Sequence, residues 1–250
     1  MRILLFSDWH IYYTSEVAVF RTIEGMAKET NIDLIVGCGD YTGGKYAPTC
    51  IDVITSKIRE AYPTTPFVSV LGNHDYWIME KKRSMTEWTR QNQRIQEVFA
   101  RHNVHFLDKD GVLALEDTTL GKVSMVGHSG WYHNPNPPTN DGRWMPMFQV
   151  PTHGHMYSTA YSELLTNLGT VPKDSKVIFV SHFGVNKDSQ QDWKGGFETF
   201  GGDPNIGLLL QNDYACTTFL QGHAHTLRQG PLNWECGSDY YYPKFQVIDI

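Results

Sequence analysis

MRILLFSDWH, residues 1–10, is the stretch on which the reading of this chain turns. The apolar run through Phe6 has the length of a short buried strand, 1–7. It hands over to an aspartate and a histidine one residue apart, Asp8 and His10. Ionisable side chains at the mouth of a buried strand are costly unless they serve a common site. The rest of the sequence has to supply the other half of that site.

Working outward, SEVAVFRTIEGMAKET reads as an amphipathic helix with Ser15 as its N-cap, and IDLIVGCGD as the next strand, ending at Asp40. A helix through CIDVITSKIREA leads to the strand PFVSVLGNHD, and a long polar helix over about 86–101 leads to VHFL. This β-α-β-α-β order predicts a largely parallel core reached by right-handed crossovers. GVLALED and GKVSMVG read as a hairpin, so the sheet is expected to be mixed. KVIFVSH, CTTFLQGH and the closing YPKFQVIDI supply three more strands, separated by short helices near 159–168 and 204–211. No internal repeat is visible. The whole chain, 1–250, reads as a single domain. Two segments break the rhythm, near 131–157 and 184–203, and are too rich in Gly, Pro, Asn and aromatics for regular structure. Long irregular loops in a compact domain are usually functional, so these are expected to border the cleft.

Composition narrows the function class. A net charge of −6 disfavours a broad basic surface, so nucleic acid is not a favoured partner. The four cysteines show no CxxC spacing and read as reduced thiols. Arg2 and Asp8 leave no room for a signal-peptide core, and no later apolar run approaches membrane-spanning length. A cytoplasmic location without membrane association is therefore expected.

The predicted core strands end in metal-ligand types: Asp8 and His10, Asp40, Asn73, His182, then His223 and His225. In open α/β sheets the carboxyl ends of strands line one crevice, so distant residues converge there. Imidazole, carboxylate and one carboxamide without thiolate suit Mn, Fe, Zn, Co, Ni or Mg, with Mn placed first. Seven groups are too many for one ion, and a two-metal site needs a bridging carboxylate, for which Asp40 is the natural candidate.

In this order, DWH, GD, GNHD, an isolated SH after a strand, and GHAH closely resemble the calcineurin-like metallophosphoesterase superfamily, from Asp8 to His225. The resemblance implies an α/β fold, a four-layer αββα sandwich with mixed sheets. It implies that Asp8, His10 and His225 hold one ion, that Asn73, His182 and His223 hold the other, and that Asp40 bridges them. His74 would be the catalytic histidine, near the phosphate without being a ligand. The implied activity is hydrolysis of a phosphomonoester or phosphodiester of a small molecule, such as a nucleotide, by a metal-bridging hydroxide. Many relatives carry an Asp or His three residues after the bridging Asp to orient the catalytic histidine. Here that position is Gly43, with Asp75 as one substitute.

His128, which follows a strand, and Trp131 and Arg143 in the first irregular segment are candidate substrate contacts. Trp193, Phe197 and Phe200 make the same case in the second. His102 and His105 read as surface or core residues. A protein serine/threonine phosphatase is disfavoured, because GDYTGGK and LGNHD depart from GDxxDRG and RGNHE. A DNA-repair-type nuclease sharing GNHD and GHxH is the runner-up. A non-catalytic scaffold stands third, since an intact set of seven buried polar groups would serve it no purpose.

Overall fold

Side-chain alternation along the first strand explains the layers. The computed structural model describes residues 1–44, 46–78, 84–129, 153–185, 202–230, 232–238 and 241–250, without the side chains of 153–159. Strand β1 (Arg2–Phe6) sends Leu4 and Phe6 to one face and Ile3 and Leu5 to the other, all of them buried. It pairs in parallel with β2 (Leu34–Cys38), which pairs with β3 (Phe67–Val70), which pairs with the two-residue β4 (His105–Phe106). On its other side β1 pairs antiparallel with β11 (Phe245–Asp249), giving the order β11-β1-β2-β3-β4. Three helices form the crossovers: α1 (Glu16–Met26), α2 (Ala47–Ala61) and α3 (Met85–Arg101). Each presents a buried stripe, Val19, Ile23 and Met26 on the first, Ile51, Ile54 and Ile58 on the second, Ile95, Val98 and Phe99 on the third. These stripes pack with Leu4, Phe6, Ile35 and Phe67 in one core. Ser15 caps α1, as the sequence predicts, accepting from the Ala18 N–H at 3.2 Å.

After the short α4 (Leu107–Asp110), strands β5 (Leu113–Asp117) and β6 (Gly121–His128) form the expected hairpin. The second sheet continues with β7 (Lys176–Ser181), β8 (Cys216–Gln221), β9 (Leu227–Gln229) and β10 (Asn233–Cys236), in the order β5-β6-β7-β8-β10-β9. Helices α5 (His153–Leu168) and α6 (Pro204–Asp213) accompany it. Their Leu164, Leu168, Ile206 and Leu210 pack on Val126, Val177, Phe179 and Phe219. A third core lies between the sheets, where Ile3, Leu5, Val36, Val68 and Val70 meet Met125, Ile178, Val180 and Leu220. Helices, sheet, sheet and helices make four layers, the αββα sandwich.

Each fully buried aliphatic side chain in these cores contributes about 1.5–3 kcal/mol. Both sheets are mixed, with the antiparallel pairs at β1–β11, β5–β6 and β9–β10. The sequence reading missed β9 and β10 and started α5 six residues late. No disulfide joins the cysteines.

Candidate metal centre

Parallel pairing puts the carboxyl ends of β1, β2 and β3 at one edge, and those of β6, β7 and β8 likewise. The loops beyond β1 and β2 stay zipped together: Asp8 N–H donates to Gly39 O, His10 N–H to Asp40 O and Ile11 N–H to Tyr41 O, each at 3.0 Å. Their backbone is unusual. Asp8, His10, Asp40, His223 and His225 all lie in the left-handed region, with φ of +58°, +45°, +52°, +68° and +54°. Non-glycine residues there cost about 1–3 kcal/mol each and persist where the surroundings over-determine them. These turns break the extended course of the chain just where Asp8, Asp40 and His223 follow β1, β2 and β8, and turn their side chains toward the crevice.

Two glycines allow the loops to touch. A Cβ on Gly222 would collide with the Ser7 hydroxyl and lie 2.9 Å from Asp8 Oδ2. Without it, the His223 N–H reaches both oxygens of Asp8, at 3.2 and 3.0 Å. A Cβ on Gly72 would collide with the Asp40 carboxylate, and in its absence the His74 N–H donates to Asp40 Oδ1 at 2.9 Å. Asp75 ties the same two loops from behind: its Oδ1 accepts from the Thr42 N–H at 3.1 Å and its Oδ2 from the Gly72 N–H at 3.0 Å. Burial pushes the Asp75 carboxyl up to about 7, against the pull of these backbone donors.

The predicted residues converge. His10 Nε2 lies 3.8 Å from Asp8 Oδ1, 3.6 Å from Asp40 Oδ2 and 3.4 Å from His225 Nε2, and His225 Nε2 is 3.6 Å from Asp8 Oδ1. On the other side, His182 Nε2 lies 3.5 Å from the same Asp40 Oδ2, 3.1 Å from Asn73 Oδ1 and 3.2 Å from His223 Nδ1. Asp8, His10, Asp40 and His182 are fully or almost fully buried, Asn73 is buried, and His225 is partly open. Such spacings resemble the ~3.0–3.4 Å between neighbouring ligands of one ion with bonds near 2.1 Å.

Electrostatics favour a cation here. His182 Nδ1 lies 2.8 Å from Cys38 O, so that nitrogen donates, and Nε2 is the ring nitrogen that faces the oxygens of Asn73 and Asp40. Burial, followed by the neighbouring imidazoles His74, His225, His182 and His223, holds His10 well below its ordinary pKa, so it is neutral and able to ligate. Among the described residues three overlapping groups could each hold a metal ion: Asp8, His10 and His225; His10, Asp40 and His74; Asp8, Asp40 and His182. None includes a cysteine, in keeping with the nitrogen and oxygen donor set expected from the sequence.

His74 sits at the rim of this cluster, in a single 3₁₀ turn (His74–Tyr76), with Nε2 4.0 Å from Asp40 Oδ2. Burial first, then His182 and His225, lowers its pKa well below the ordinary value. His128, at the end of β6, faces Asp108 Oδ1 at 3.4 Å and Glu163 Oε2 at 3.8 Å. Trp131 and Arg143 lie outside the described residues, as does most of each irregular segment. His102 is away from the site, with Nε2 2.6 Å from Asp52 Oδ1, and His105 Nε2 is 3.0 Å from Gly111 O. Trp77, stacked on His74, and Tyr13 escaped the sequence reading. Their spacing, an aromatic three residues after a site histidine (His10 to Tyr13, His74 to Trp77), was the available signal.

No helix among the described residues is long and apolar enough to cross a membrane. Among curated proteins none matches the chain by sequence. Solved structures do match in fold. The phosphopantetheinyl hydrolase PptH from Mycobacterium tuberculosis superposes with a TM-score of 0.69 at 12% identity, covering 98% of this chain and 95% of its own. TT1561 of Thermus thermophilus gives 0.59 at 13% identity, covering 99% and 98%. The purple acid phosphatase PPD1 from yellow lupin seeds gives 0.54 at 15%, covering all of this chain and 46% of its own. At these identities the likeness is one of fold. A sequence model of the calcineurin-like phosphoesterases matches residues 1–227, from β1 through the last of the converging histidines, and the chain belongs to that family.

Proposed function

We propose that this protein is a dinuclear metal-dependent hydrolase of a phosphomonoester or phosphodiester bond in a small phosphorylated molecule, a nucleotide being one such substrate. The observation that carries this reading is the position of Asp40 Oδ2, 3.6 Å from His10 Nε2 and 3.5 Å from His182 Nε2, between two sets of donors. Asp8, His10 and His225 would hold one ion and Asn73, His182 and His223 the other, with Asp40 shared. Bound there, such ions supply positive charge for the phosphoryl oxygens and a water acidic enough to attack near neutral pH.

The chain's own residues do the remainder. Burial and the imidazole neighbours keep His74 neutral, so it meets the phosphoryl group or the leaving oxygen with a hydrogen bond. Asp75 keeps the loops of Asp40 and Asn73 in register through its two backbone bonds. Two fold neighbours, a hydrolase and a phosphatase, agree with hydrolytic chemistry.

The test is reconstitution. Metal-stripped protein is reloaded separately with Mn, Fe, Zn, Co, Ni or Mg, its metal content is measured, and it is assayed on an aryl phosphomonoester, an aryl phosphodiester and nucleotide substrates. Two ions per chain with metal-dependent turnover support the reading. A single ion, or a metal-loaded protein inert on every ester, refutes it.

A further inference from the structure

Among the described residues, the imidazole of His74 lacks what usually holds such a ring. A catalytic histidine is commonly oriented by an acceptor on its second nitrogen. Here that nitrogen, Nδ1, is buried and has no hydrogen-bond partner among the described residues. The nearby carboxylates are used otherwise. Asp75 is turned to the N–H groups of Thr42 and Gly72, and Asp40 Oδ1 accepts from the main chain of His74. Gly43 contributes no side chain, and the space beside it is taken: a Cβ there would lie 2.6 and 2.8 Å from two ring carbons of Tyr13.

The ring is held by its faces and edges. The indole of Trp77 stacks on His74 with centroids 3.7 Å apart and planes 25° from parallel. Tyr13 meets it edge-on at 6.2 Å and His10 at 4.6 Å. Local backbone explains the stack. A 3₁₀ turn has three residues per turn, so side chains at i and i+3 eclipse one another, and His74 and Trp77 stand in that relation. Trp77 is itself anchored: its N–H donates to His74 O at 3.2 Å, and its carbonyl accepts from Gln91 Nε2 of α3 at 3.2 Å. It is almost completely buried.

We infer that Trp77 is the positioning residue of His74, setting the plane of the imidazole by stacking where an acidic partner would set it by a hydrogen bond, with Tyr13 closing the neighbouring side over Gly43. The inference rests on the reading of His74 as the group that meets the phosphoryl. Stacking fixes the plane of the ring while Nδ1 has no carboxylate partner among the described residues.

The experiment compares Trp77→Phe with Trp77→Leu in the metal-loaded full chain, on aryl phosphoesters with good and poor leaving groups. Trp77→Leu is expected to lower kcat by about 10- to 100-fold with KM and metal content unchanged, the scale of a misplaced catalytic group. Trp77→Phe, which keeps a ring face, recovers most of that loss. A second readout needs no turnover. In histidine-labelled protein, with the resonance of His74 assigned by its loss in His74→Ala, the ring protons of His74 lie upfield through the indole ring current. They stay upfield in Trp77→Phe and return to ordinary positions in Trp77→Leu. If Trp77→Leu does not fold, Trp77→Met, of similar reach but without a ring, takes its place. An unshifted His74 in the wild type, or a ring-less variant with unchanged kcat, overturns the inference. A wild type inert on every ester overturns the phosphoesterase reading, while the ring-current shift still decides the stack.

Discussion

His74 and His128 stand in comparable places and have opposite surroundings. His74 lies just beyond β3 and His128 is the last residue of β6, and both are buried, at 7% and 6% exposure. His74 is surrounded by other imidazoles, and after burial these are what lower its pKa. For His128 burial also pulls downward, but Asp108 and then Glu163 outweigh it and the pKa is raised. Asp108 also accepts from the N–H and hydroxyl of Ser129, both at 2.8 Å. Ser129 Oγ in turn accepts from the Leu71 N–H at 2.9 Å, two residues before Asn73. A strand end therefore does not assign a histidine its work. Imidazole neighbours lower the pKa of the ring facing the cluster, whereas carboxylate neighbours raise that of the other.

The comparison breaks most completely at Asp40, the carboxylate that faces His10, His74 and His182 together. Asp40→Ala is expected to lose metal and bring turnover to background, read by elemental analysis and a phosphoester assay on the same sample. Full metal occupancy would contradict the shared role. Next comes the direct contrast. His74→Ala should keep its metal and lose about 10²–10⁴-fold in turnover, the range for one acid–base group. His128→Asn should change turnover far less and show its effect in the denaturation midpoint.

Asp108→Asn sharpens the other half. It leaves His128 without its nearer carboxylate and puts an amide N–H against the donors of Ser129, at a cost of about 1–3 kcal/mol in chemical denaturation. The pH dependence has a definite sign. Because the folded pKa of His128 lies above its unfolded value, the stability from this pair is complete below about pH 6.5 and is lost as pH rises through the raised folded value. Denaturation midpoints of wild type and His128→Asn should thus differ more at pH 6 than at pH 9. The smallest effect belongs to Glu163→Gln. Its side chain is 56% exposed, so its share of the pair should be under about 1 kcal/mol.

The converging side chains were legible because strand periodicity and strand ends are local properties of sequence. Asp8, Asp40, Asn73 and His182 each follow an apolar run within three residues, and parallel topology brings such ends together. The left-handed turns were not legible, because tertiary contacts hold Asp8 and His223 there, among them the bond from His223 N–H to Asp8. β10 was missed for a different reason. Asn233–Cys236 is buried at all four positions yet carries Asn and Glu, so neither alternation nor an apolar run marks it. The start of α5 was hidden by Gly154 between two histidines, a poor helix-forming composition that the fold overrides. Nor can a sequence show that Tyr13 fills the space at Gly43, since that depends on how two loops lie across one another.

The left-handed backbone at Asp8, His10, Asp40, His223 and His225 sets stability against activity at the same five positions. Glycine at any of them would relieve about 1–3 kcal/mol of conformational strain and remove a polar side chain, fully or almost fully buried at Asp8, His10 and Asp40 and half-buried at His223 and His225. A library of this chain selected only for heat resistance would therefore drift toward glycine first where the donor atoms converge. Sequences recovered from such a selection would keep the sandwich and lose the cluster, and the order in which the five positions changed would rank how much each residue strains the fold.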